Sequence, residues 1–209
     1  IPAVKVADGV ISTSEIVAQT VATANVALGE DAFQRIIKEK HDANIMFLIQ
    51  QANVRSSELK TAKAFQEEVK AIGEAANKQI TNIEISAYAS PDGALDLNQG
   101  LAEKRQDATA KVVNKNLKKD KMEANVDTKY TAEDWEGFQE LVSKSNIQDK
   151  ELILRVLSMY KEPEQREQEI KNISSVYSAL ADEILPQSRR SRLTLNYEII
   201  GKSDEEIAN

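Results

Sequence analysis

The sequence predicts an α+β domain with a mixed sheet and helices packed on one face. Near the C-terminus, Leu193, Leu195, Tyr197 and Ile199 alternate with polar residues, which is typical of a half-buried strand. Two earlier apolar runs are each followed by a segment with apolar residues at three- and four-residue steps, as in amphipathic helices. The resulting order is strand, helix, strand, helix, strand, helical insertion, strand. Its strand-helix-strand units imply parallel neighbours joined by right-handed crossovers.

The N-terminal segment, residues 1–43, has the weakest pattern. Its valines alternate loosely, whereas Phe33, Ile36 and Ile37 have the spacing of a helical turn. We expect an extended segment at the edge of a preceding domain. Because the sequence opens without Met and ends without an obvious structural stop, we also expect a fragment of a longer protein. Residues 201–209 would then link to a missing C-terminal region.

The first strand and helix follow this segment. Residues 44–49 are a short apolar run and predict a buried strand. A helix begins after Ser56 or Ser57, either of which can cap it, and continues to about Asn77. Its predicted buried face consists of Leu59, Ala62, Phe65, Val69, Ile72 and Ala76.

A second strand is predicted at residues 80–89, and the segment 90–93, Ser-Pro-Asp-Gly, ends it with a turn. The second helix covers residues 95–117 and the third strand residues 122–130. The apolar side of that helix is expected to be its buried side, with Leu97, Leu101, Ala108, Val112 and Val113.

Residues 131–187 form a predicted helical insertion. Trp135 and Phe138 fit the core of a first helix, and the apolar residues at 152–157 fit a second. A third helix is expected between Pro163 and Pro186, because proline interrupts helices.

Composition excludes several kinds of function. The chain has 209 residues, no Cys, one His and a formal net charge of -7. It therefore has no disulfide, no Cys-ligated zinc, no cysteine nucleophile and no multi-His metal centre, and we expect no cofactor. The acidic balance argues against nucleic acid as a partner. No run approaches the ~18 apolar residues of a membrane span, so membrane contact would require a region outside this sequence.

The turn and the second helix carry a spaced motif. The turn 90–93 is followed by Asn98, Leu101 and Arg105, and Arg189-Arg190 precedes the last strand. The spacing of these positions resembles that of OmpA-like domains, periplasmic modules through which outer-membrane proteins and lipoproteins hold peptidoglycan.

The resemblance covers residues 44–130 and 188–200. It implies an OmpA-like domain at 44–200, with the helical insertion 131–187 placed before the last strand. The insertion, which contains the sequence Asp-Trp-Glu-Gly at 134–137, is similar to a branch common in Bacteroidetes envelope proteins.

The resemblance also implies a ligand and its site. Such domains bind the peptidoglycan stem peptide at diaminopimelate, whose free end carries a carboxylate and an ammonium. By resemblance, Arg105 would bind the carboxylate, Asn98 would hold the turn, and Gly93 would supply the shape of its backbone. The family's Asp, which takes the ammonium, aligns here with the uncharged Ser90. Asp92 is the nearest carboxylate, although its alternative role is an ordinary turn residue.

A basic cluster precedes and opens the last strand. Arg189, Arg190 and Arg192 either contact stem-peptide carboxylates or form salt bridges to the acidic insertion. The sequence contains no phosphate-binding loop, nucleophile elbow or metal-ligand spacing, so we expect no enzyme.

Two functions remain open. The first is a non-catalytic periplasmic domain that binds peptidoglycan and tethers an outer-membrane protein or lipoprotein. In that case Arg105→Ala should abolish muropeptide binding without unfolding the domain. The alternative is a structural or protein-interaction domain, with another envelope protein as its partner, that kept the OmpA-like fold and lost peptidoglycan binding.

Overall fold

A computed structural model describes residues 36–201 of the chain. The sheet and its two long helices comprise β1 (Ile36–Met46), α1 (Ser56–Glu74), β2 (Lys78–Tyr88), α2 (Leu95–Lys119), β3 (Val126–Thr131) and β4 (Arg190–Ile200). The insertion between β3 and β4 comprises α3 (Trp135–Lys144), α4 (Lys150–Met159), α5 (Pro163–Asn172), α6 (Ser174–Ala179), a π-helical turn (Leu180–Ile184) and α7 (Leu185–Ser188).

The four strands form one mixed sheet in the order β1-β4-β2-β3. β4 is antiparallel to both of its neighbours, and β2 is parallel to β3. This arrangement confirms the predicted α+β class and element order. The expectation that β1 and β2 are adjacent parallel strands is wrong, because β4 lies between them and pairs with each.

The core lies between one face of the sheet and helices α1 and α2. The alternation predicted for β4 is confirmed, since Leu193 and Leu195 are both fully buried. On the opposite face the side chains are polar and bond to one another, as in the contact from Asn196 Nδ2 to Asn82 Oδ1 at 2.9 Å. The buried cluster comprises Ile45, Phe47, Ala62, Phe65, Val69, Ile72, Ile83, Ile85, Val113, Leu117, Leu193 and Leu195.

The buried side of α2 differs from the predicted one. Leu97 is 49% exposed, whereas Asn98 and Arg105 are almost fully buried. The helix therefore turns a partly polar stripe toward the sheet. Its buried residues are Asn98, Ala102, Arg105, Thr109, Val113 and Leu117.

The first strand begins earlier and ends earlier than the sequence indicates. Ile36 and Ile37 lie in β1 and pair with Ile200 and Ile199, so the expected helical turn there is wrong. The strand ends at Met46, and residues 47–51 form a loop beyond it. The rest of the predicted N-terminal segment, residues 1–35, and residues 202–209 of the predicted linker lie outside the described residues.

The insertion has a hydrophobic cluster of its own, which includes Phe138, Val142, Ile153 and Leu180. The single helix expected between the two prolines is instead divided into α5, α6, the π-helical turn and α7. The division occurs at Ile173, which has ψ 73 and leaves the helical region. Among residues 36–201, no helix combines the length and apolarity that crossing a membrane requires.

Candidate functional site

The predicted turn joins the end of β2 to the start of α2. β2 ends at Tyr88, and α2 begins at Leu95. Gly93 adopts φ 123, a conformation that residues with a Cβ rarely reach. The Asn98 amide donates to the Gly93 carbonyl oxygen at 3.2 Å, so the first turn of α2 holds the end of the loop. These contacts are those proposed for Gly93 and Asn98 from the motif.

Replacing Gly93 with alanine is expected to lower the free energy of unfolding by about 1–3 kcal/mol, because the turn requires a strained φ. Space is not the obstacle, since an added Cβ would lie 3.8 Å from Asn98 Oδ1. Gly100→Ala is the matched control. Gly100 lies in α2 with no atom within 4 Å of an added Cβ, so alanine should stabilise the helix by about 0.5–1 kcal/mol. Equal urea midpoints for the two variants would contradict the assignment.

Arg105 lies at the floor of a crevice beside this turn and is only 1% exposed. Three of its five N–H groups donate to backbone carbonyls: Nε to Gln51 at 3.0 Å, Nη1 to Tyr88 at 2.9 Å and Nη2 to Leu48 at 3.3 Å. Its guanidinium also lies 5.3 Å from the Phe47 ring centroid. Arg105 therefore ties the loop after β1 to the end of β2.

Burial, and then the nearby charge of Arg189, lower the pKa of the Arg105 guanidinium to about 10, while Asp92 acts in the opposite direction. At neutral pH the group is still protonated. Arg105 thus places a full positive charge beneath the crevice.

Arg189 reaches the turn from the residue just before β4. Its Nε donates to Ser90 Oγ at 3.2 Å, and its Nη2 donates to Asp92 Oδ2 at 3.3 Å. Within residues 36–201 its Nη1 makes no hydrogen bond, and the side chain as a whole is 9% exposed. Asp92 Oδ1, in contrast, is buried and finds no partner among the same residues. Arg189 therefore lines the crevice with one guanidinium nitrogen that these residues leave without a hydrogen bond.

The crevice has a volume of about 80 Å³. All six residues predicted as ligand contacts line it: Ser90, Asp92, Gly93, Asn98, Arg105 and Arg189. Sequence analysis missed Ile49 and Gln50, which line it from the loop after β1. Ile49 was assigned to a buried strand but is 58% exposed. The Gln50 backbone has φ 55, a turn conformation that glycine or asparagine usually marks in a sequence. Because position 50 is a glutamine, the sequence does not indicate this turn.

The insertion contacts the same turn from its outer side. Glu167 Oε1 in α5 accepts from the Gly93 backbone N–H at 2.7 Å and pairs with Lys171 Nζ at 2.5 Å. Pro91 and Asp92 face the edge of the insertion's hydrophobic cluster across a cavity of about 20 Å³. The insertion therefore braces the turn without lining the crevice.

Arg190 forms a salt bridge to the insertion, which was the second role considered for the basic cluster. Its Nη2 pairs with Asp134 Oδ2 of the insertion at 2.9 Å, and its guanidinium lies 4.7 Å from the Tyr88 ring centroid. Arg189 binds the turn, and Arg190 binds the insertion. The salt bridge to the insertion is therefore formed by Arg190.

Metal binding finds no support in the part of the chain that the structure describes. There, no three side chains of the ligating types lie together in a way that could hold an ion.

No protein family and no curated protein sequence matches this chain. Among solved structures, one similar to it is the OmpA-like domain of FopA1 from Francisella tularensis subsp. tularensis SCHU S4, at 14% identity and a TM-score of 0.40, covering 78% of this chain and 75% of that one. Another is the cell wall anchor of the T6SS from Pseudomonas aeruginosa, at 10% identity and a TM-score of 0.38, covering 91% and 94%.

Proposed function

We propose that this domain is a non-catalytic periplasmic module that binds the peptidoglycan stem peptide and tethers an outer-membrane protein or lipoprotein. The observation that supports the proposal is the convergence of all six motif residues, from three separate segments, on one crevice. Five of them belong to the turn or to α2, and Arg189 arrives from the residue just before β4.

The chemistry of the crevice suits a carboxylate. A guanidinium binds carboxylates through a planar pair of donors, and the Nη1 of Arg189 has no hydrogen-bond partner within residues 36–201. The buried charge of Arg105 adds attraction for an anion from below. We assign carboxylate binding to Arg189 directly and to Arg105 through its charge, with diaminopimelate as the proposed source of the carboxylate.

A binding role fits these residues better than a catalytic one. Ser90 is the hydroxyl at the site, and its polar neighbour is the Arg189 guanidinium. A guanidinium cannot accept the proton that a serine nucleophile must lose. The arrangement therefore supports holding a ligand in place.

The test is an NMR titration of the labelled domain with a diaminopimelate-containing muropeptide. We expect shifts centred on Ser90–Gly93 and Asn98–Arg105. Arg189→Gln should weaken binding about tenfold to a hundredfold, because a hydrogen bond to a charged group contributes about 1.5–3 kcal/mol. Arg155→Gln, at an exposed position of α4, is the matched control and should leave affinity unchanged. Equal affinity of both variants would exclude Arg189 as a ligand contact.

A second candidate function is protein interaction through the insertion. It is favoured by two exposed apolar side chains on α4, Leu152 at 42% and Met159 at 64% exposure. This candidate predicts that the muropeptide causes no shifts even at millimolar concentration. It also predicts that an envelope protein is recovered with the full-length protein and is lost when Leu152 and Met159 are changed to serine.

A further inference from the structure

The crevice contains more positive than negative charge. Of the described residues that line it, Arg105 and Arg189 are cationic and Asp92 is anionic. The Asp92 carboxylate is already paired, because Oδ2 accepts from Arg189, and its Oδ1 is buried. A ligand entering the crevice therefore meets an excess of positive charge, since the one carboxylate is already paired.

Ser90 does not change this balance. It is 6% exposed, and its oxygen accepts from Arg189 Nε at 3.2 Å. The guanidinium of Arg189 thus occupies the space between the hydroxyl and the Asp92 carboxylate. An ammonium attached to the same carbon as a bound carboxylate would lie against these cations and would be repelled.

We propose that the crevice selects a carboxylate whose neighbouring amine is acylated, in preference to a zwitterionic end that carries a free ammonium. This inference rests on the proposed function. In a stem peptide it corresponds to diaminopimelate whose distal amine is joined in an amide, as in a cross-link, with its carboxylate still free. Acylation removes the repelled charge and leaves the group that Arg189 binds.

The rim of the crevice suits such a ligand. Ile49 and Leu97 line it and are 58% and 49% exposed. These apolar side chains provide a surface for a neutral acyl group beside the carboxylate, whereas a hydrated ammonium would lose water there without finding a partner. The positive charge of the crevice and the apolar surface at its rim therefore both favour the acylated form of the ligand.

The experiment compares two muropeptides that differ in one group. One carries the free distal amine of diaminopimelate, and in the other this amine is acetylated. Calorimetric titration of the unaltered domain should give about tenfold tighter binding of the acetylated form, the size expected for the loss of one unfavourable charge contact. Equal affinity, or tighter binding of the free amine, would overturn the inference while leaving the proposed function intact. If neither ligand binds, the proposed function fails and the inference fails with it.

Ser90→Asp provides a second readout. A second carboxylate would balance the two guanidinium charges of the crevice and remove the repulsion of the ammonium, so preference should move toward the free amine. Ser90→Asn, which is similar in size and uncharged, should keep the preference of the unaltered domain. An acetyl group that merely gained apolar contact would give the same preference in all three proteins, and that result would also overturn the inference.

Discussion

Arg105→Ala is expected to lower the free energy of unfolding by about 3 kcal/mol or more, a loss of the size seen when buried polar networks are broken. The guanidinium satisfies the carbonyl oxygens of Leu48, Gln51 and Tyr88, and its side chain is 1% exposed. Alanine would leave these acceptors without their donor and open a cavity above Phe47.

Urea denaturation measures this loss, and Arg155→Ala on the exposed face of α4 is the control. That variant should change stability by no more than about 0.5 kcal/mol. Arg105→Met, which restores volume without donors, should recover only part of the loss. A decrease below about 1 kcal/mol for Arg105→Ala would show that the three hydrogen bonds contribute little.

This result changes how the binding test with Arg105 is interpreted. From sequence, Arg105→Ala was expected to remove binding without unfolding. The structure instead gives Arg105 a structural role in the crevice, so lost binding in that variant would not identify a ligand contact. Arg189 is the better position to test, because its Nη1 has no partner within residues 36–201, whereas all three nitrogens of Arg105 bond to backbone carbonyls.

Asp134→Ala is expected to destabilise the domain by about 3–5 kcal/mol, the range for breaking a buried ion pair from one side. Asp134 and Arg190 are each 9% exposed at their side chains, so alanine leaves a buried guanidinium without its counter-charge. Asp134 Oδ1 also accepts from the Gly137 backbone N–H at 3.0 Å and caps α3. Its loss removes both contacts.

Two further variants separate the contributions. Asp134→Asn keeps an oxygen for the cap and loses the charge, so it should exceed alanine in stability by about 1 kcal/mol, the usual effect of a cap. In Gly137→Ala, the new Cβ would overlap the Asp134 carboxylate, so it should displace the ion pair while both charges remain. Urea denaturation of the three variants provides the comparison. If Asp134→Ala lost less than about 1 kcal/mol, the pair would not hold the insertion to the sheet.

The sequence correctly predicted the elements in which buried apolar side chains alternate with exposed polar ones. β4 is such an element, because its inward side chains are Leu193 and Leu195. The buried face of α2 could not be predicted in this way. Hydrophobic periodicity places Leu97 inside and Arg105 outside, whereas the buried arginine is satisfied by carbonyls more than 50 residues earlier in the chain, at Leu48 and Gln51.

The start of β1 was missed for a related reason. The segment 38–40, Lys-Glu-Lys, has no apolar alternation and, among residues 36–201, forms an edge strand that pairs only with β4. Charged residues are common on such edges because they discourage further pairing. Strand formation there depends on backbone pairing with a segment about 150 residues away, which a local pattern does not report.

The candidate site was predictable where the motif spaces its residues along the chain. Ser90, Gly93 and Asn98 lie at the expected places because the turn and the first turn of α2 are local structures. Arg189 pairs with the Asp92 carboxylate, although the two residues are 97 positions apart in the chain. The local spacing of the motif does not reveal this pairing.

The contact from Glu167 to the Gly93 N–H makes the insertion and the crevice thermodynamically linked. Whatever orders the turn from within the crevice also favours the docked position of α5, and whatever loosens α5 frees the turn. Such coupling is reciprocal by necessity. A partner that bound the outer surface of the insertion would therefore change the affinity of the crevice for its ligand without entering the crevice. In the other direction, a ligand in the crevice would change the stability of α5, a helix that does not contact the ligand.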